Sequence, residues 1–287
     1  MNFDQLFILS QYLTPQHGLS RLVGQFAKAE TPLIKDRFIN WFIDQYGVNM
    51  SEAVRKSANE YHCFNDFFTR ELETGARPID PSPNSIVSPV DGAISQIGKI
   101  ENGRIFQAKG HSFGLVELLG GTWSTARPFE DGEFTTIYLS PKDYHRIHMP
   151  ITGTLKEMIY VPGKLFSVNP ITAQNVPNLF ARNERVVALF DTPIGPMAMV
   201  LVGAMIVASM ATVWAGTINP GRHIYRREYT GGQAITLEKG QEMGRFLLGS
   251  TVVLTFPKGT MNWNTEYQPE SAVRLGQPIG QTMQKSP

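Results

Sequence analysis

Hydrophobic residues recur at helical spacing over the first 80 residues of the chain. Thr31 and Pro32 suit the start of a helix, because Thr can cap the first turn and Pro is tolerated at its first position. The apolar positions that follow lie mostly three or four residues apart: Leu33, Ile34, Phe38, Trp41, Phe42 and Tyr46. A similar set precedes them: Leu19, Leu22, Val23 and Phe26. This pattern predicts an N-terminal region of amphipathic helices.

The pattern changes after a proline-rich stretch at 78–89, which we interpret as a linker. Residues 93–100 alternate in polarity, Asn102-Gly103 favours a tight turn, and 104–108 return, so a β-hairpin is predicted. A short helix is expected at 115–119, and further strands at 134–139, 153–161, 186–190 and 252–256. The fold class predicted is therefore α+β, with a helical region over 1–80 and a β-rich body over 81–287.

An uncharged run at 196–216 is nearly long enough to cross a bilayer. It is interrupted by Gly203, Ser209 and Thr212, and its β-branched residues are common in strands. Periodicity alone does not separate a buried strand from a buried helix. We favour two successive buried strands over a spanning helix.

Composition limits the function classes. A net charge of +1 gives no reason to expect nucleic-acid binding. The single cysteine, Cys63, excludes an internal disulfide framework and favours a reducing compartment. Cys63 lies among phenylalanines, so we interpret it as a packing residue rather than a nucleophile.

Two polar segments of the body could carry chemistry. Asp91-Gly92 is by itself a common turn pair. His145 and His148 could bind a metal, act as a general base, or sit in the core as satisfied histidines. A metal is the weaker interpretation, since no Cys/His cluster occurs elsewhere and Asp143 is a poor third ligand. We expect no metal, but the local sequence does not choose between base and core histidine.

Gly249-Ser250 precedes the apolar run 252–256. It could be a simple loop entering a strand. Alternatively, glycine at 249 would tolerate strained backbone angles and let the Ser250 hydroxyl reach the preceding carbonyl carbon. That attack would need a base for the serine proton and an acid to orient the base.

Several blocks, in the same order, resemble the phosphatidylserine decarboxylase family, in particular its bacterial, membrane-associated type. The cleavage motif of that type corresponds to Leu248-Gly249-Ser250-Thr251. The other matching blocks lie at 64–70, 89–92, 107–110, 139–148 and 176–185. The resemblance covers most of the chain and is least distinct over the first 50 residues.

The resemblance implies a self-processing triad of Asp91, His148 and Ser250, with His145 as a supporting residue. Asp91 would orient His148, and His148 would take the Ser250 proton. Cleavage between Gly249 and Ser250 would leave a β chain ending at 249 and an α chain whose residue 250 is a covalent pyruvoyl cofactor. That group would form a Schiff base with phosphatidylserine and allow its decarboxylation to phosphatidylethanolamine.

The resemblance also implies where the protein works and with what. The substrate lies in a bilayer, so the helices, with Arg21, Lys28, Lys35 and Arg37 beside their apolar faces, are expected to bind an anionic membrane surface. Attachment would be peripheral, on the cytoplasmic side of the cell membrane, and the processed heterodimer would form a homodimer. Two rivals remain: a serine hydrolase that uses Asp91, His148 and Ser250 without self-cleavage, and a β-rich binding module.

Overall fold

The computed structural model describes residues 3–205, 210–247 and 250–283. Its N-terminal helices and sheet-rich body confirm the predicted α+β class. The helices are α1 (Phe3–Leu13), α2 (Gln16–Phe26), α3 (Pro32–Tyr46), α4 (Phe64–Phe68), α5 (Leu115–Leu118), α6 (Trp123–Ala126), α7 (Pro170–Asn175) and α8 (Leu179–Arg182). Short 3-10 turns lie at Ala58–Glu60, Arg127–Phe129 and Gly231–Gln233.

The strands belong to one large sheet and several smaller ones. In chain order they are β1 (Ser85–Val87), β2 (Gly92–Lys99), β3 (Arg104–Ala108), β4 (His111–Gly114), β5 (Glu133–Leu139), β6 (Arg146–His148), β7 (Gly153–Val161), β8 (Arg185–Thr192), β9 (Gly195–Val202), β10 (Met210–Thr212), β11 (Gly216–Thr217), β12 (Tyr225–Glu228), β13 (Ile235–Leu237), β14 (Glu242–Phe246), β15 (Ser250–Phe256), β16 (Met261–Trp263), β17 (Ala272–Val273) and β18 (Pro278–Thr282). The large sheet runs in the order β12-β7-β8-β9-β15-β5-β2-β17, with β13 also on β7.

Strand β15 lies in the middle of the large sheet, between β9 and β5. Its side chains alternate between two buried clusters, so Val253 faces one cluster while Val252 and Leu254 face the other. A strand buried on both faces has few polar positions, which explains the nearly continuous apolar run at 252–256. The strand that follows the candidate cleavage bond is therefore held rigidly in the core.

The N-terminal helices pack on the body through one face. Gln11 Oε1 accepts a hydrogen bond from the Ser167 N–H at 3.0 Å, and Gln16 Oε1 accepts one from the Leu165 N–H at 2.8 Å. On α3, Ile39 and Phe42 belong to a buried cluster that continues into the sheet. The helical region therefore shares a core with the body, and a domain boundary near residue 80 remains a prediction.

Two sequence expectations about this region need correction. Lys35 is buried, with its Nζ bonded to Asp36 and, at 3.2 Å, to the Ala58 carbonyl, so it is not available to a membrane surface. The proline-rich linker contains a strand, β1, which pairs with β18 near the C-terminus. This strand is only three residues long, which is too short for its pattern of apolar residues to predict a strand.

The tight turn predicted at Asn102-Gly103 is present, with Glu101 and Arg104 bonded to each other across it, but the predicted hairpin is wrong in its strand pairing. Strand β2 pairs with β5 and β17, whereas β3 pairs with β4 across the turn Lys109-Gly110. Both turn residues have positive φ, 45° and 79°, which suits a two-residue hairpin loop. Lysine is rarely found in such a conformation, so the sequence did not indicate this turn.

Two other expectations agree with the structure. The uncharged run at 196–216 contributes β9 and β10, both largely buried, apart from residues 206–209, which lie outside the described part of the chain. Within the described residues, no helix is long and apolar enough to cross a bilayer. The short helix predicted at 115–119 is α5, and the strands predicted at 134–139, 153–161, 186–190 and 252–256 are β5, β7, β8 and β15.

Candidate active site

The candidate cleavage bond lies between two strands that belong to different sheets. Strand β14 ends at Phe246, whose N–H donates to the His145 carbonyl at 3.0 Å. Strand β15 begins at Ser250, which lies opposite Leu139 of β5. Leu248 and Gly249 fall outside the described residues, and only the backbone of Ser250 is described. The backbone nevertheless fixes the neighbours on both sides of this segment.

His148 lies on β6, which pairs with β14, with Glu242 opposite His148. Its Nδ1 is 2.7 Å from the Gly240 carbonyl oxygen. A carbonyl oxygen only accepts hydrogen bonds, so Nδ1 carries the proton and Nε2 carries a lone pair. Burial, the largest cause, lowers the pKa of His148 below its ordinary value, which favours the neutral ring. His148 is therefore prepared to act as a base through Nε2.

Tyr144 is the neighbour of that base nitrogen. Its Oη lies 3.3 Å from His148 Nε2. Burial raises the pKa of Tyr144 to about 12, so its hydroxyl keeps its proton and donates to Nε2. A hydrogen bond of this length is weak, and a closer proton donor can displace it.

Asp91 is buried just before β2 and makes its contacts away from His148. Both of its carboxylate oxygens accept from Arg77 Nε, at 2.8 and 2.9 Å, and Oδ1 accepts from the Leu275 N–H at 2.9 Å. Within the described part of the chain, no hydrogen bond joins Asp91 to His148. The Asp91 charge is only a minor influence that raises the pKa of His148. The orienting role expected for Asp91 stays a prediction.

Gly92, after Asp91, is required for a close approach of two strands rather than for a turn. A Cβ placed on Gly92 would lie 2.3 Å from the Tyr138 carbonyl oxygen of β5. Contacts this short do not occur with real Cβ atoms, so a larger residue would force β2 away from β5. The pair Asp91-Gly92 therefore positions Asp91 at the end of the tight β2–β5 contact.

His145 is a fully buried neutral histidine. Its Nδ1 lies 2.8 Å from the Asp143 carbonyl oxygen, and its ring centre is 4.0 Å from that of Phe68. Its Nε2 has no hydrogen-bond partner among the described residues. Burial lowers the pKa of His145 to about 3. His145 is therefore a core histidine by burial but not a satisfied one, because its Nε2 keeps a free lone pair. Its backbone carbonyl accepts from Phe246, at the end of β14 that leads to the candidate cleavage bond.

A cavity of about 770 Å³ lies between the helical region and the body. Asp91 and Tyr144 line it, and so do Tyr138 and Ser140, which flank Leu139, the cross-strand partner of Ser250. Its walls also include apolar residues from both regions: Leu72, Ala93, Ile94, Val168, Ala173 and Val273. The two neighbours of Leu139, the cross-strand partner of Ser250, therefore line a mostly apolar cavity, the kind of space that takes a small organic group.

The other candidate chemistries have less support. In the described ranges, no three His, Cys, Asp or Glu side chains are grouped so as to hold a metal ion. Cys63 is a free, half-buried cysteine immediately before α4. Sequence reasoning missed two residues that define the site, Arg77 and Gly240. Neither carries a local signal, since Gly240 acts through its backbone carbonyl and Arg77 acts across the fold.

Comparison with known proteins places the chain in a class of self-processing lyases. The family model described as "Phosphatidylserine decarboxylase" matches residues 64–281, and one described as "PSD" matches 6–47. The chain belongs to the phosphatidylserine decarboxylase family.

Individual relatives agree with this family over nearly their full lengths. The chain is 63% identical over 283 residues to the phosphatidylserine decarboxylase proenzyme of Hahella chejuensis, covering 98% of this chain and 95% of that protein. It is 59% identical over 281 residues to the proenzyme of Shewanella amazonensis, covering 96% and 98%. It is 56% identical over 285 residues to the proenzyme of Pseudomonas fluorescens Pf-5, covering 98% and 99%.

Proposed function

We propose that this chain is a proenzyme that cleaves itself between Gly249 and Ser250 and then decarboxylates phosphatidylserine to phosphatidylethanolamine. The pairing of β6 with β14 is the observation that carries the proposal. It places His145 at the end of β14 that leads through residues 247–249 to Ser250, and His148 opposite Glu242 at the start of the same strand. The lone pair on His148 Nε2 supplies the base that this reaction needs.

The self-cleavage proposed here proceeds as follows. His148 Nε2 takes the proton of the Ser250 hydroxyl, and the Ser250 oxygen attacks the Gly249 carbonyl carbon. The C–N bond breaks as the proton held by His148 passes to the departing nitrogen, and the amide becomes an ester. Loss of the residue-250 α proton then expels the Gly249 carboxylate and leaves dehydroalanine. Tautomerisation and hydrolysis of dehydroalanine release ammonia and give a pyruvoyl group, with the new ketone oxygen coming from water.

The segment after the bond would remain attached once it is cut. Strand β15 pairs along its length with β5 and β9, and β17 and β18 pair with β2 and β1. Asp91 adds a hydrogen bond to the Leu275 N–H, and Glu52 pairs with Arg274 at 2.6 Å. Cleavage at position 250 would thus give two chains in one folded unit.

We propose that Asp91 acts in the proenzyme together with Arg77. The Gly240 carbonyl already fixes the tautomer of His148. Asp91 neutralises the nearly buried Arg77 guanidinium and holds the Leu275 segment, so it would set the shape of the cavity that Asp91 and Arg77 line. Its negative charge would also favour the protonated His148 that forms when the serine proton is taken.

The residues present fit a pyruvoyl group at position 250, because serine is its precursor and the neighbours of its cross-strand partner, Leu139, line the cavity. Such a group would supply a ketone that accepts the substrate amine and a neighbouring carbonyl that takes up electrons as the carboxylate leaves. The apolar cavity walls would keep water from the carboxylate. His148 Nε2, protonated in this phase, would deliver a proton to the carbon that loses carbon dioxide.

We propose that the helical region binds the membrane peripherally, on the cytoplasmic side. Apolar side chains are exposed on all three helices: Leu6, Leu9, Leu13, Leu22, Phe26, Leu33, Ile34 and Trp41. Lys28 and Arg37 are exposed beside them, and the Arg21 side chain lies outside the described residues. Exposed apolar groups flanked by cations suit the surface of an anionic bilayer. The homodimer of processed units remains part of this proposal.

The experiment that tests this function uses phosphatidylserine labelled in the serine carboxyl group. The purified protein should release labelled carbon dioxide, and borohydride should fix the substrate amine to the chain that begins at residue 250. Ser250→Ala should do neither and should remain one chain. An intact wild-type chain with esterase activity and no carbon dioxide release would instead favour the serine hydrolase.

A further inference from the structure

Arg70 is a buried arginine that forms no ion pair with any described residue, although the Asp91 and Asp143 carboxylates act on it from a distance. It follows α4, and only 3% of its surface is exposed. Its Nη2 donates to the Lys142 carbonyl at 2.8 Å and approaches the Asp143 carbonyl at 3.5 Å. Its Nε and Nη1 have no acceptor among the described residues, and no carboxylate there forms an ion pair with it. A buried charge left in this state is costly, so it needs a functional explanation.

Another arginine with the same burial shows how the fold satisfies a guanidinium when its role is structural. Arg185 is also 3% exposed. Its Nε donates to the Leu118 carbonyl at 2.6 Å, its Nη1 to the Asn183 carbonyl at 2.8 Å, and its Nη2 to the Glu117 carbonyl. All three nitrogens therefore have acceptors. The unpaired nitrogens of Arg70 are not a general consequence of arginine burial in this protein.

Arg70 lines the same cavity as Asp91 and Tyr144. Two other arginines of this cavity are already neutralised, Arg77 by Asp91 and Glu52, and Arg274 by Glu52. Lys142, whose carbonyl accepts from Arg70, also lines the cavity and is exposed. The cations of this cavity without an ion pair among the described residues are therefore Arg70 and Lys142. Its carboxylates without one are Asp143, which accepts hydrogen bonds from Ser140, and Glu270.

We propose that Arg70 recognises the phosphodiester of the substrate headgroup. This inference rests on the proposed function, whose substrate carries two anions, a phosphodiester and a carboxylate. An ion pair would stabilise the carboxylate in the ground state and oppose its loss as carbon dioxide. The phosphodiester is unchanged by the reaction, and its oxygens match the fork of N–H groups that a guanidinium offers. Arg70 would thus contribute to binding rather than to the chemical step.

The test measures borohydride trapping of four soluble amines on the processed enzyme. Glycerophosphoserine and glycerophosphoethanolamine both carry a phosphodiester, and only the first carries a carboxylate. O-Methylserine carries a carboxylate alone, and 2-methoxyethylamine carries neither. Arg70→Gln should raise the half-trapping concentration of both phosphodiesters about tenfold or more, as loss of a charged hydrogen bond predicts. It should leave the other two amines unchanged, and Arg70→Lys should lie in between.

Each alternative result overturns the proposal. Weaker trapping of the two carboxylates alone would assign Arg70 to the carboxylate. Equal weakening of all four amines would mean that Arg70 only shapes the site, and no change would remove it from recognition. Arg185→Lys is the matched control for a buried arginine and should affect stability without any selectivity between the amines.

Two further measurements keep the result interpretable if a variant fails to fold. Extent of self-cleavage reports whether each variant folds. If Arg70→Gln is not processed, the wild-type enzyme can still contradict the proposal. It would do so by trapping glycerophosphoethanolamine and 2-methoxyethylamine at equal concentrations, because only the first of these amines carries a phosphodiester. A wild type that traps none of the four amines would overturn the proposed function itself, which keeps the two failures distinct.

Discussion

The helical region exposes many of its large apolar side chains, whereas the strands of the β body bury theirs. In the body, alternate residues of β9 and β15 are fully buried in two clusters on either side of the large sheet. On the helices, Leu13 is 76% exposed, Leu22 68% and Leu33 67%. Large apolar residues scattered singly on a surface need no explanation, but a set concentrated on three successive helices is what the proposed membrane surface requires.

The two regions therefore have different proposed roles, and hydrogen bonds between them link the helices to the catalytic body. The body carries His148, the proposed base, with the carbonyl that fixes its tautomer and the strand that begins at position 250. The helices carry the surface suited to lipid, yet Gln11 and Gln16 bond to the segment 163–168, and Val168 lines the cavity. A lipid bound at the helices would therefore be close to the chemistry without the helices taking part in it.

The largest effect expected is the loss of self-cleavage when the body loses its base. His148→Ala should leave the precursor uncleaved, because it removes the Nε2 lone pair that takes the serine proton in the proposed reaction. Gel separation of the chains after expression measures this outcome directly. Processing of His148→Ala at the wild-type rate would remove the base from the proposed reaction.

Asp91 should also be essential for processing, and a double variant sharpens the reason. Asp91→Ala leaves Arg77 buried with only Glu52 as its partner, a change that typically costs about 3–5 kcal/mol of stability. Replacing both residues, as Arg77→Met with Asp91→Leu, should recover much of that stability without restoring cleavage. Recovered cleavage in the double variant would show that Asp91 serves only to pair Arg77.

A negative charge introduced on the helices should have a smaller effect, and should change membrane binding rather than self-cleavage. Leu22→Glu should weaken binding to anionic vesicles about tenfold, since burying one such side chain is worth about 1.5–3 kcal/mol. Self-cleavage should be unchanged. Ile224→Glu, at an exposed apolar position of the body, is the matched control and should bind like the wild type. Equal binding by both variants would show that the helices are not the membrane surface.

The smallest effect concerns the pH dependence of stability. His145 has a folded pKa of about 3, below its ordinary value near 6.5, so the unfolded chain binds its proton more readily. Its contribution to the free energy of unfolding is complete above pH 6.5 and falls as the pH drops toward 3, by about 1.4 kcal/mol per unit at most. His145→Gln should flatten this slope. An NMR titration showing His145 protonated at pH 6 would contradict the burial described here.

Sequence patterns predicted the parts of this molecule that depend on local periodicity. The predicted strand at 153–161 coincides with β7, and the helical periodicity after Pro32 coincides with α3. The partner of β3 could not be predicted, because Lys109-Gly110 adopts an uncommon turn and β2 pairs with a strand distant in the chain.

The candidate site likewise contains residues that the sequence predicted and contacts that it did not. The family motifs directed attention to Asp91, His148 and Ser250. The contacts that define their states come from Arg77, from the Gly240 carbonyl, 92 residues from His148, and from the Leu275 N–H. Such contacts depend on tertiary packing and on backbone atoms, which leave no mark in the amino-acid pattern.

The intact mass of the purified protein tests the central claim most directly. The account predicts two chains that separate only under denaturing conditions, one ending at Gly249 and one beginning at residue 250 with a carbonyl group in place of the N-terminal amine. Ser250→Ala should give the single uncut mass. A wild-type protein with the single uncut mass and no carbonyl-reactive group would contradict the account.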